Sequence, residues 1–315
     1  MPMDWIEISV QADGEATEAV RELFNRLNSR PDGQGGAVIE VDGFDPVGED
    51  HHPFVLVKTY LPADAADTPD CQRQLEEGLW YLGRIYPLGE VAVRPLAEED
   101  WANAWKASYH PLKVGHRFFI IPAWESDTIQ PEGDNLPIVL DPGMAFGTGL
   151  HPSTQLCLRL MEAIVQPGQR VLDAGCGSGI LSIAAARLDA ISVDAFDIDP
   201  IAVTATLENA ALNNLPVPIN VVVSAGPEDA EFWWGDDGAH RIWDVILVNI
   251  LPHVIIALLE AGLHAYLAPN GCLILAGIIE ERETGVREAL AARGLIVQDR
   301  LVQGDWVGLV VARHE

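Results

Sequence analysis

From residue 170 to the end of the chain, short apolar runs alternate with longer stretches whose apolar residues recur at helical spacing. Short runs bounded by Gly, Pro or Asp are typical of buried strands, and the longer stretches are typical of helices. The pattern predicts strands at 171–174, 192–196, 219–224, 243–248 and 272–277, and helices at 180–188, 201–213, 254–267 and 281–293. Two last strands, 295–301 and 306–313, have no helix between them. We therefore expect an α/β fold with a doubly wound parallel sheet that ends in an antiparallel hairpin.

The first hundred residues show a different pattern, which is typical of a small α+β module. It combines an alternating strand, an amphipathic helix and two more strands, at 5–10, 17–27, 37–41 and 54–60. A stretch rich in Pro, Ala and Asp follows, and then a helix at 71–86 with leucines on one face. We expect an α+β domain over 1–62, a linker with one helix over 63–99 and a larger domain over 100–315.

The formal net charge is −28, from 47 acidic and 19 basic residues. A field of this sign repels nucleic acid phosphate and anionic membranes and attracts basic proteins. We therefore expect no direct binding to nucleic acid or to a membrane. The alternative interpretation is a solvated acidic surface that only keeps the protein soluble.

The four cysteines, Cys71, Cys157, Cys176 and Cys272, are scattered and form no C-x-x-C pair. This spacing predicts neither a disulfide framework nor a zinc site, and we expect no bound metal. The chain opens without a basic region followed by an apolar one, and no apolar run has the length of a membrane span. We expect a cytoplasmic protein, and a monomer.

A glycine-rich turn joins the predicted strand at 171–174 to the Ala-rich helix that follows it. Its glycines, Gly175, Gly177 and Gly179, follow the spacing G-x-G-x-G rather than the G-x-G-x-x-G of dinucleotide-binding loops. Glycines let the backbone turn sharply and leave no side chain between it and a ligand. The free N–H groups at the start of the next helix point toward that ligand. The turn therefore predicts a cofactor-binding loop without a pyrophosphate.

Asp197 follows the next predicted strand, about 20 residues after the glycines, where α/β folds hold a ribose. A carboxylate at this position can accept hydrogen bonds from both ribose hydroxyls. The alternative is that Asp197 or Asp199 only caps the helix that begins near Pro200. We assign the helix cap to Asp199 and the ribose-binding role to Asp197.

Asn249 lies at the carboxyl end of the fourth predicted strand, beside the crevice where such folds bind their ligands. Its amide oxygen and the backbone carbonyl of Ile250 could both accept hydrogen bonds from one amine. Two such acceptors would direct the nitrogen lone pair at a methyl group, which is the positioning that methyl transfer needs. The alternative is that Asn249 caps the helix after Pro252.

A loop rich in glycine, at 142–149, precedes the helix at 155–164, and its composition indicates a backbone held close to another group. Phe146 and Thr148 belong to this loop. Ser153 and Thr154 follow it, and their hydroxyls could simply cap the helix. The functional alternative is that the hydroxyl of Thr154 also faces the cofactor.

Four motifs together resemble the PrmA family, the bacterial methyltransferases of large-subunit ribosomal protein eleven. They are PGMAFGTG with His151-Pro152, DAGCGSGIL at 173–181, DIDP at 197–200 and NIL at 249–251. The match is close from Asp100 to the end and general in the first sixty residues. The resemblance implies a substrate-recognising amino-terminal domain, a linker helix and a class I (Rossmann-like) methyltransferase domain that uses S-adenosyl-L-methionine.

The resemblance also implies the substrate, which is ribosomal protein eleven, methylated at lysine side chains and at the α-amino group. The family's cofactor positions fall on Thr154, Gly175, Asp197 and Asn249, and we add Gly177, Thr148 and Phe146, whose ring could face a sulfonium or only pack the loop. We expect in-line attack by a neutral amine at Asn249 and Ile250. The acidic chain should meet its substrate free of the ribosome.

Other functions stay open at this point. A nucleic acid methyltransferase typically has an aromatic side chain after the asparagine, which stacks on a flipped base. Here Asn249 is followed by Ile250 and Leu251, which are not aromatic. A dehydrogenase function is disfavoured, because the glycines do not follow the G-x-G-x-x-G spacing of a dinucleotide-binding loop. The remaining alternatives are a class I methyltransferase of another protein or small-molecule amine, and a non-catalytic ribosome-assembly protein that retains the fold.

Overall fold

The computed structural model describes residues 5–12, 14–28, 37–41, 55–63, 68–96, 109–129, 131, 133–141, 147–226 and 241–314. The chain divides into two compact units, Met1–His110 and Pro111–Glu315. Each unit has a hydrophobic core of its own.

The first unit is an antiparallel sheet with two helices, as expected for an α+β module. Its elements are β1 (Trp5–Ala12), α1 (Gly14–Asn28), β2 (Ala37–Val41), β3 (Val55–Pro62), α2 (Thr68–Leu82) and β4 (Ala92–Leu96), with strand order β2-β3-β1-β4. Helix α2 buries Leu75 and Leu79 in the same core as Ile8 and Phe24. The helix that the sequence places in a linker thus packs within the first unit, and strand β4, which the sequence analysis did not predict, pairs with β1.

A three-stranded sheet opens the second unit. It consists of β5 (Leu112–Val114), β6 (Phe118–Pro122) and β7 (Leu136–Leu140), with β6 parallel to β7. Two asparagine side chains hold β7 in place. One lies in helix α5 (Pro200–Leu212) and the other directly follows its carboxyl end. Asn213 accepts a hydrogen bond from the Val139 N–H (2.8 Å) and donates one to its carbonyl (2.7 Å), and Asn209 accepts one from the Asp141 N–H (2.8 Å).

The main sheet has seven strands in the order β10-β9-β8-β11-β12-β14-β13. They are β8 (Arg170–Ala174), β9 (Ser192–Asp197), β10 (Ile219–Val223), β11 (Trp243–Asn249), β12 (Leu267–Ile279), β13 (Leu295–Gln303) and β14 (Trp306–Arg313). The first five are parallel, and β14 runs antiparallel to both β12 and β13. The predicted doubly wound sheet with a final antiparallel hairpin is therefore confirmed.

Helices cover both faces of this sheet. Besides α5 they are α3 (Pro152–Ile164), α4 (Ile180–Arg187), α6 (Pro252–Glu260) and α7 (Glu283–Ala291). Helix α4 is buried over Ile180–Ala186, which explains its apolar, Ala-rich sequence. The helix predicted at 254–267 is shorter, because Gly262 adopts a left-handed conformation (φ 92°) and only a 3₁₀ turn, Leu263–Tyr266, follows it.

Strand order places a ligand crevice within the second unit. Strand β8 pairs with β9 on one side and with β11 on the other, so the chain adds β9 and β10 in one direction and then returns past β8 to add β11 and β12 in the other. In open α/β sheets such a switch point, at the carboxyl ends of the strands, is where ligands bind. The carboxyl ends of β8, β9 and β11 carry the glycine turn, Asp197 and Asn249.

Candidate active site

The glycine turn connects β8 to helix α4 and brings two distant segments close to its backbone. Gly175 (φ 81°) and Gly179 (φ 80°) both adopt the left-handed conformation that favours glycine. A side chain at Gly175 would lie 2.8 Å from Ile250 Cγ2, and one at Gly179 would lie 2.9 Å from Thr206 Cγ2. The turn therefore needs glycine for its conformation and also for the packing around it.

Asp197 ends β9 and lies against this turn. Its Oδ2 accepts a hydrogen bond from the Gly177 N–H (3.0 Å), and its Oδ1 accepts one from the Asp199 N–H (3.0 Å). Burial raises the pKa of the Asp197 carboxyl, and these backbone N–H groups oppose the rise. Asp199 accepts a hydrogen bond from the Ile201 N–H (2.9 Å) and is the N-cap of α5, so its assignment as the cap is confirmed.

Asn249 ends β11, and its side chain reaches helix α3. Its Nδ2 donates a hydrogen bond to Thr154 Oγ1 (3.2 Å). Its Oδ1 is buried and accepts no hydrogen bond from any part of the chain that the structure describes. A buried amide oxygen without a donor costs free energy unless a ligand supplies one. The side chain is therefore fixed at its nitrogen and keeps its oxygen for a donor from outside the chain.

Both capping alternatives for this pair are wrong. The N-cap of α3 is His151, whose side chain accepts a hydrogen bond from the Ser153 N–H, so Thr154 lies in the first turn of the helix and is not its cap. The N-cap of α6 is Leu251, with no side-chain cap, so Asn249 does not cap that helix. The hydrogen bond between Thr154 and Asn249 therefore does not cap the amino-terminal end of either helix.

Ile250 follows Asn249 and packs between two glycines. Its side chain lies over Gly175, and its backbone lies against Gly277 of β12. Gly277 (φ 79°) lies at a bulge, where the pairing of β12 with β14 shifts between Leu275 and Ile278. A Cβ atom at Gly277 would lie 2.9 Å from both the N and the C atom of Ile250. The peptide that carries the predicted second acceptor thus depends on the absence of a side chain at Gly277.

Asp173 is a buried carboxylate beneath the turn, and the sequence analysis did not single it out. Its Oδ2 accepts a hydrogen bond from Ser182 Oγ (2.6 Å), whereas its Oδ1 is buried and has no partner among the described residues. Burial raises the pKa of Asp173 to about 7, although the Ser182 hydroxyl opposes the rise. The signal in the sequence is an acidic residue inside a buried apolar strand.

The described part of the loop before α3 is tied to the glycine turn. Ser178 Oγ donates a hydrogen bond to the Gly147 carbonyl (2.7 Å), and Asn209 Nδ2 donates one to the Ser178 carbonyl (2.9 Å). Thr148 follows Gly147 in this loop. Phe146 lies outside the described residues, so its predicted contact with the cofactor stays a prediction. The described residues contain no cluster of three His, Cys, Asp or Glu side chains that could hold a metal ion.

Comparison with known proteins decides the family. The profile of the family described as "Ribosomal protein L11 methyltransferase (PrmA)" matches residues 4–314. The chain belongs to this family. It is 45% identical to the ribosomal protein L11 methyltransferase of Herpetosiphon aurantiacus, over 97% of this chain and 98% of that protein. The corresponding protein of Chloroflexus aurantiacus is 42% identical, over 99% and 98% of the two chains.

A solved structure of the family has the same fold. It is the ribosomal protein L11 methylase of Lactobacillus delbrueckii subsp. bulgaricus, which is 34% identical with a TM-score of 0.59. The alignment covers 66% of this chain and all of the other one. The class I methyltransferase fold is thus confirmed, and so is S-adenosyl-L-methionine as the cofactor of this family.

The structure of this PrmA-family chain brings most of the predicted site residues into two groups. Gly175, Gly177, Asp197 and Ile250 surround one turn, and Asn249 and Thr154 contact each other. Their individual roles toward cofactor and substrate stay predictions. Sequence reasoning missed Ser178 and Asn209, whose hydrogen bonds hold that turn. It also missed Asp173, which bonds to Ser182, and Gly277, which lies against the Ile250 backbone. None of the described helices has the length and apolar character that crossing a membrane requires.

Proposed function

We propose that this chain transfers methyl groups from S-adenosyl-L-methionine to amines of ribosomal protein L11, namely lysine side chains and the N-terminal α-amine. The observation that carries the proposal is the buried Oδ1 of Asn249, which has no hydrogen-bond partner among the described residues. This atom is a hydrogen-bond acceptor at the ligand crevice, and an amine is a donor that fits it. The L11 substrate is that named for the curated relatives.

The residues of the crevice fit this cofactor. The glycine turn presents bare backbone, and the carboxylate of Asp197 lies beside it for the ribose hydroxyls. Asp173 Oδ1 is a second acceptor, with no hydrogen-bond partner in the part of the chain that the structure describes. The methionine part of the cofactor carries an ammonium group, which a buried carboxylate favours. When bound, the cofactor supplies an electrophilic methyl group on a sulfonium.

Asn249 would orient the amine for attack. Its Oδ1 accepts one amine hydrogen and the Ile250 carbonyl accepts another, so the nitrogen lone pair points at the methyl group. Thr154 fixes the amide plane through Nδ2. Holding reactants in line in this way is worth several orders of magnitude in rate. The bond that forms is N–CH₃ and the bond that breaks is S–CH₃, whose electron pair stays on sulfur.

The amine must be neutral before it attacks. An α-amine has a pKa of about 8 and a lysine side chain one of about 10.4, so the α-amine is the easier target at neutral pH. Burial in the crevice favours the neutral form of a lysine and narrows this difference. We propose that the proton leaves to water.

The charge of the chain supports a basic protein as the substrate. At −28, the chain attracts ribosomal proteins, which are rich in Lys and Arg, and is repelled by rRNA. We therefore propose that L11 is modified before it joins the ribosome. This would place the reaction in the cytoplasm, where ribosomal proteins are made.

Mass spectrometry of purified L11 after incubation with the chain and S-adenosyl-L-methionine tests the proposal. We expect stepwise gains of one methyl mass each, and peptide mapping should locate them on lysines and on the α-amine. Assembled large subunits should be modified more slowly than free L11. Unmodified L11 would overturn the proposed substrate, and methyl groups on other side chains would overturn the proposed acceptor.

A further inference from the structure

Helix α5 buries two polar side chains and exposes three large apolar ones. Thr206 is 0% and Asn209 1% exposed, whereas Ile201, Leu207 and Leu212 are 37%, 50% and 48% exposed. A surface helix normally turns its apolar face toward the core. A buried polar side chain costs free energy unless it is hydrogen-bonded. The polar face of α5 therefore has a role other than apolar packing, and its hydrogen bonds indicate that role.

The two buried polar side chains hold successive carbonyls of the glycine turn. Thr206 Oγ1 donates a hydrogen bond to the Gly177 carbonyl (3.0 Å), and Asn209 Nδ2 donates one to the Ser178 carbonyl (2.9 Å). Because a peptide is planar and trans, a carbonyl that is held in place also fixes the N–H of the next residue on the opposite side. Helix α5 thus sets the orientation of two adjacent peptides in the turn.

Asn209 also ties the turn to strand β7, because its Oδ1 accepts a hydrogen bond from the Asp141 N–H (2.8 Å). Asn213 lies one turn later and bonds to the same strand, through the N–H (2.8 Å) and the carbonyl (2.7 Å) of Val139. Its other side-chain hydrogen bond in the described structure is donated to the Asn209 carbonyl (2.7 Å). The two asparagines therefore share β7, and within the described ranges it is Asn209 whose side chain also bonds to the turn.

We infer that Thr206 and Asn209 are positioning residues for S-adenosyl-L-methionine, which act through the backbone of the glycine turn. They hold the turn in its binding shape before the cofactor arrives. A turn that is already ordered binds its ligand more tightly, because binding does not have to supply the free energy of ordering. The inference deepens the proposed function: it rests on the cofactor but not on the identity of the methyl acceptor.

The Thr206 hydroxyl is tested by Thr206→Val, because valine keeps the shape of threonine and removes the donor. The Gly177 carbonyl then loses its hydrogen bond, and we expect the Kd for S-adenosyl-L-methionine to rise about three- to tenfold in calorimetry. Thr206→Ser keeps the hydroxyl and should return the Kd to within about twofold of the wild-type value. Equal affinity in the valine and serine variants would overturn the role of Thr206.

Asn209→Ala and Asn213→Ala form a matched pair, because both remove side-chain hydrogen bonds to β7. Both should lower the Tm. The Kd for S-adenosyl-L-methionine should rise about tenfold in Asn209→Ala, because this variant also frees the Ser178 carbonyl, and should stay near the wild-type value in Asn213→Ala.

An equal rise of the Kd in the two asparagine variants would overturn the inference, since any loss of stability would then weaken the cofactor. Wild-type affinity in both Asn209→Ala and Thr206→Val would overturn it as well. If Asn209→Ala does not fold, the Thr206 pair decides alone. Calorimetry needs no methyl acceptor, so a chain that leaves L11 unmodified would overturn the proposed function and not this inference.

Discussion

Asn249 Nδ2 donates a hydrogen bond to Thr154 Oγ1 across 3.2 Å, from the end of a central strand to the first turn of a helix 95 residues earlier. Thr154 is only 2% exposed, so this contact is shielded from water. It uses the nitrogen of the amide and leaves Oδ1 buried without a partner among the described residues. If Asn249 binds the amine as proposed, this contact leaves Oδ1 as the atom that accepts the amine hydrogen.

Thr154→Val tests this positioning role, because valine keeps the shape of threonine and removes the hydroxyl. Without its partner the Asn249 amide can rotate, and we expect kcat for methyl transfer to fall about tenfold, the value of one hydrogen bond. The affinity for S-adenosyl-L-methionine should change little. Thr154→Ser keeps the hydroxyl and should restore most of the rate. Equal activity in the valine and serine variants would contradict the role.

Asp197→Asn tests the proposed ribose contact. The loss of a charged acceptor beside the glycine turn should raise the Kd for S-adenosyl-L-methionine about tenfold to a hundredfold in calorimetry. Asp199→Asn is the matched control, because asparagine caps a helix as well as aspartate and Asp199 caps α5. If both variants bind the cofactor like the wild type, the ribose assignment is wrong.

Asp173 gives the chain a pH dependence of known sign. Burial raises the pKa of Asp173 to about 7 in the folded chain, whereas an unfolded aspartate titrates at about 3.9. Between these values the folded chain binds more protons than the unfolded one, so this residue lowers the free energy of unfolding as pH rises from about 4 to about 7. Asp173→Asn removes the effect. The Tm of the variant relative to the wild type should rise from pH 5 to pH 8, and a constant difference would contradict the account.

Gly277 should be required for the rate of methyl transfer. An alanine at this position would contact the Ile250 backbone and displace the predicted second acceptor, so we expect kcat to fall at least about tenfold. Gly304→Ala is the matched control. Gly304 has φ 57° with open space around it, so it bears a similar conformational cost, about 1 kcal/mol or more, without the contact. Equal kcat in the two variants would show that Gly277 serves only the fold.

Most of the catalytic sheet could be predicted from sequence because its strands are buried apolar runs bounded by glycine, proline or aspartate. Strand β4 could not, because its residues 92–95 are exposed and include Arg94 and Pro95, which give no apolar pattern. The carboxyl end of α6 was predicted too late, because the apolar run continues through the 3₁₀ turn after Gly262.

The candidate site was predictable where a polar residue directly follows a buried strand, as for Asp197 and Asn249. Contacts between distant segments were not. Nothing in the spacing indicates that Thr154 meets Asn249, or that Gly277 must make room for Ile250. These relationships depend on strand order and on a bulge in β12, which local patterns do not encode.

Asn249→Ala tests the central claim most directly, through two measurements on one protein: the rate of methyl transfer to L11 and the Kd for S-adenosyl-L-methionine. If Asn249 orients the amine, transfer should slow by about a hundredfold or more while the Kd changes less than about threefold. Parallel losses of rate and affinity would make Asn249 a cofactor ligand only. An unchanged rate would contradict its role altogether.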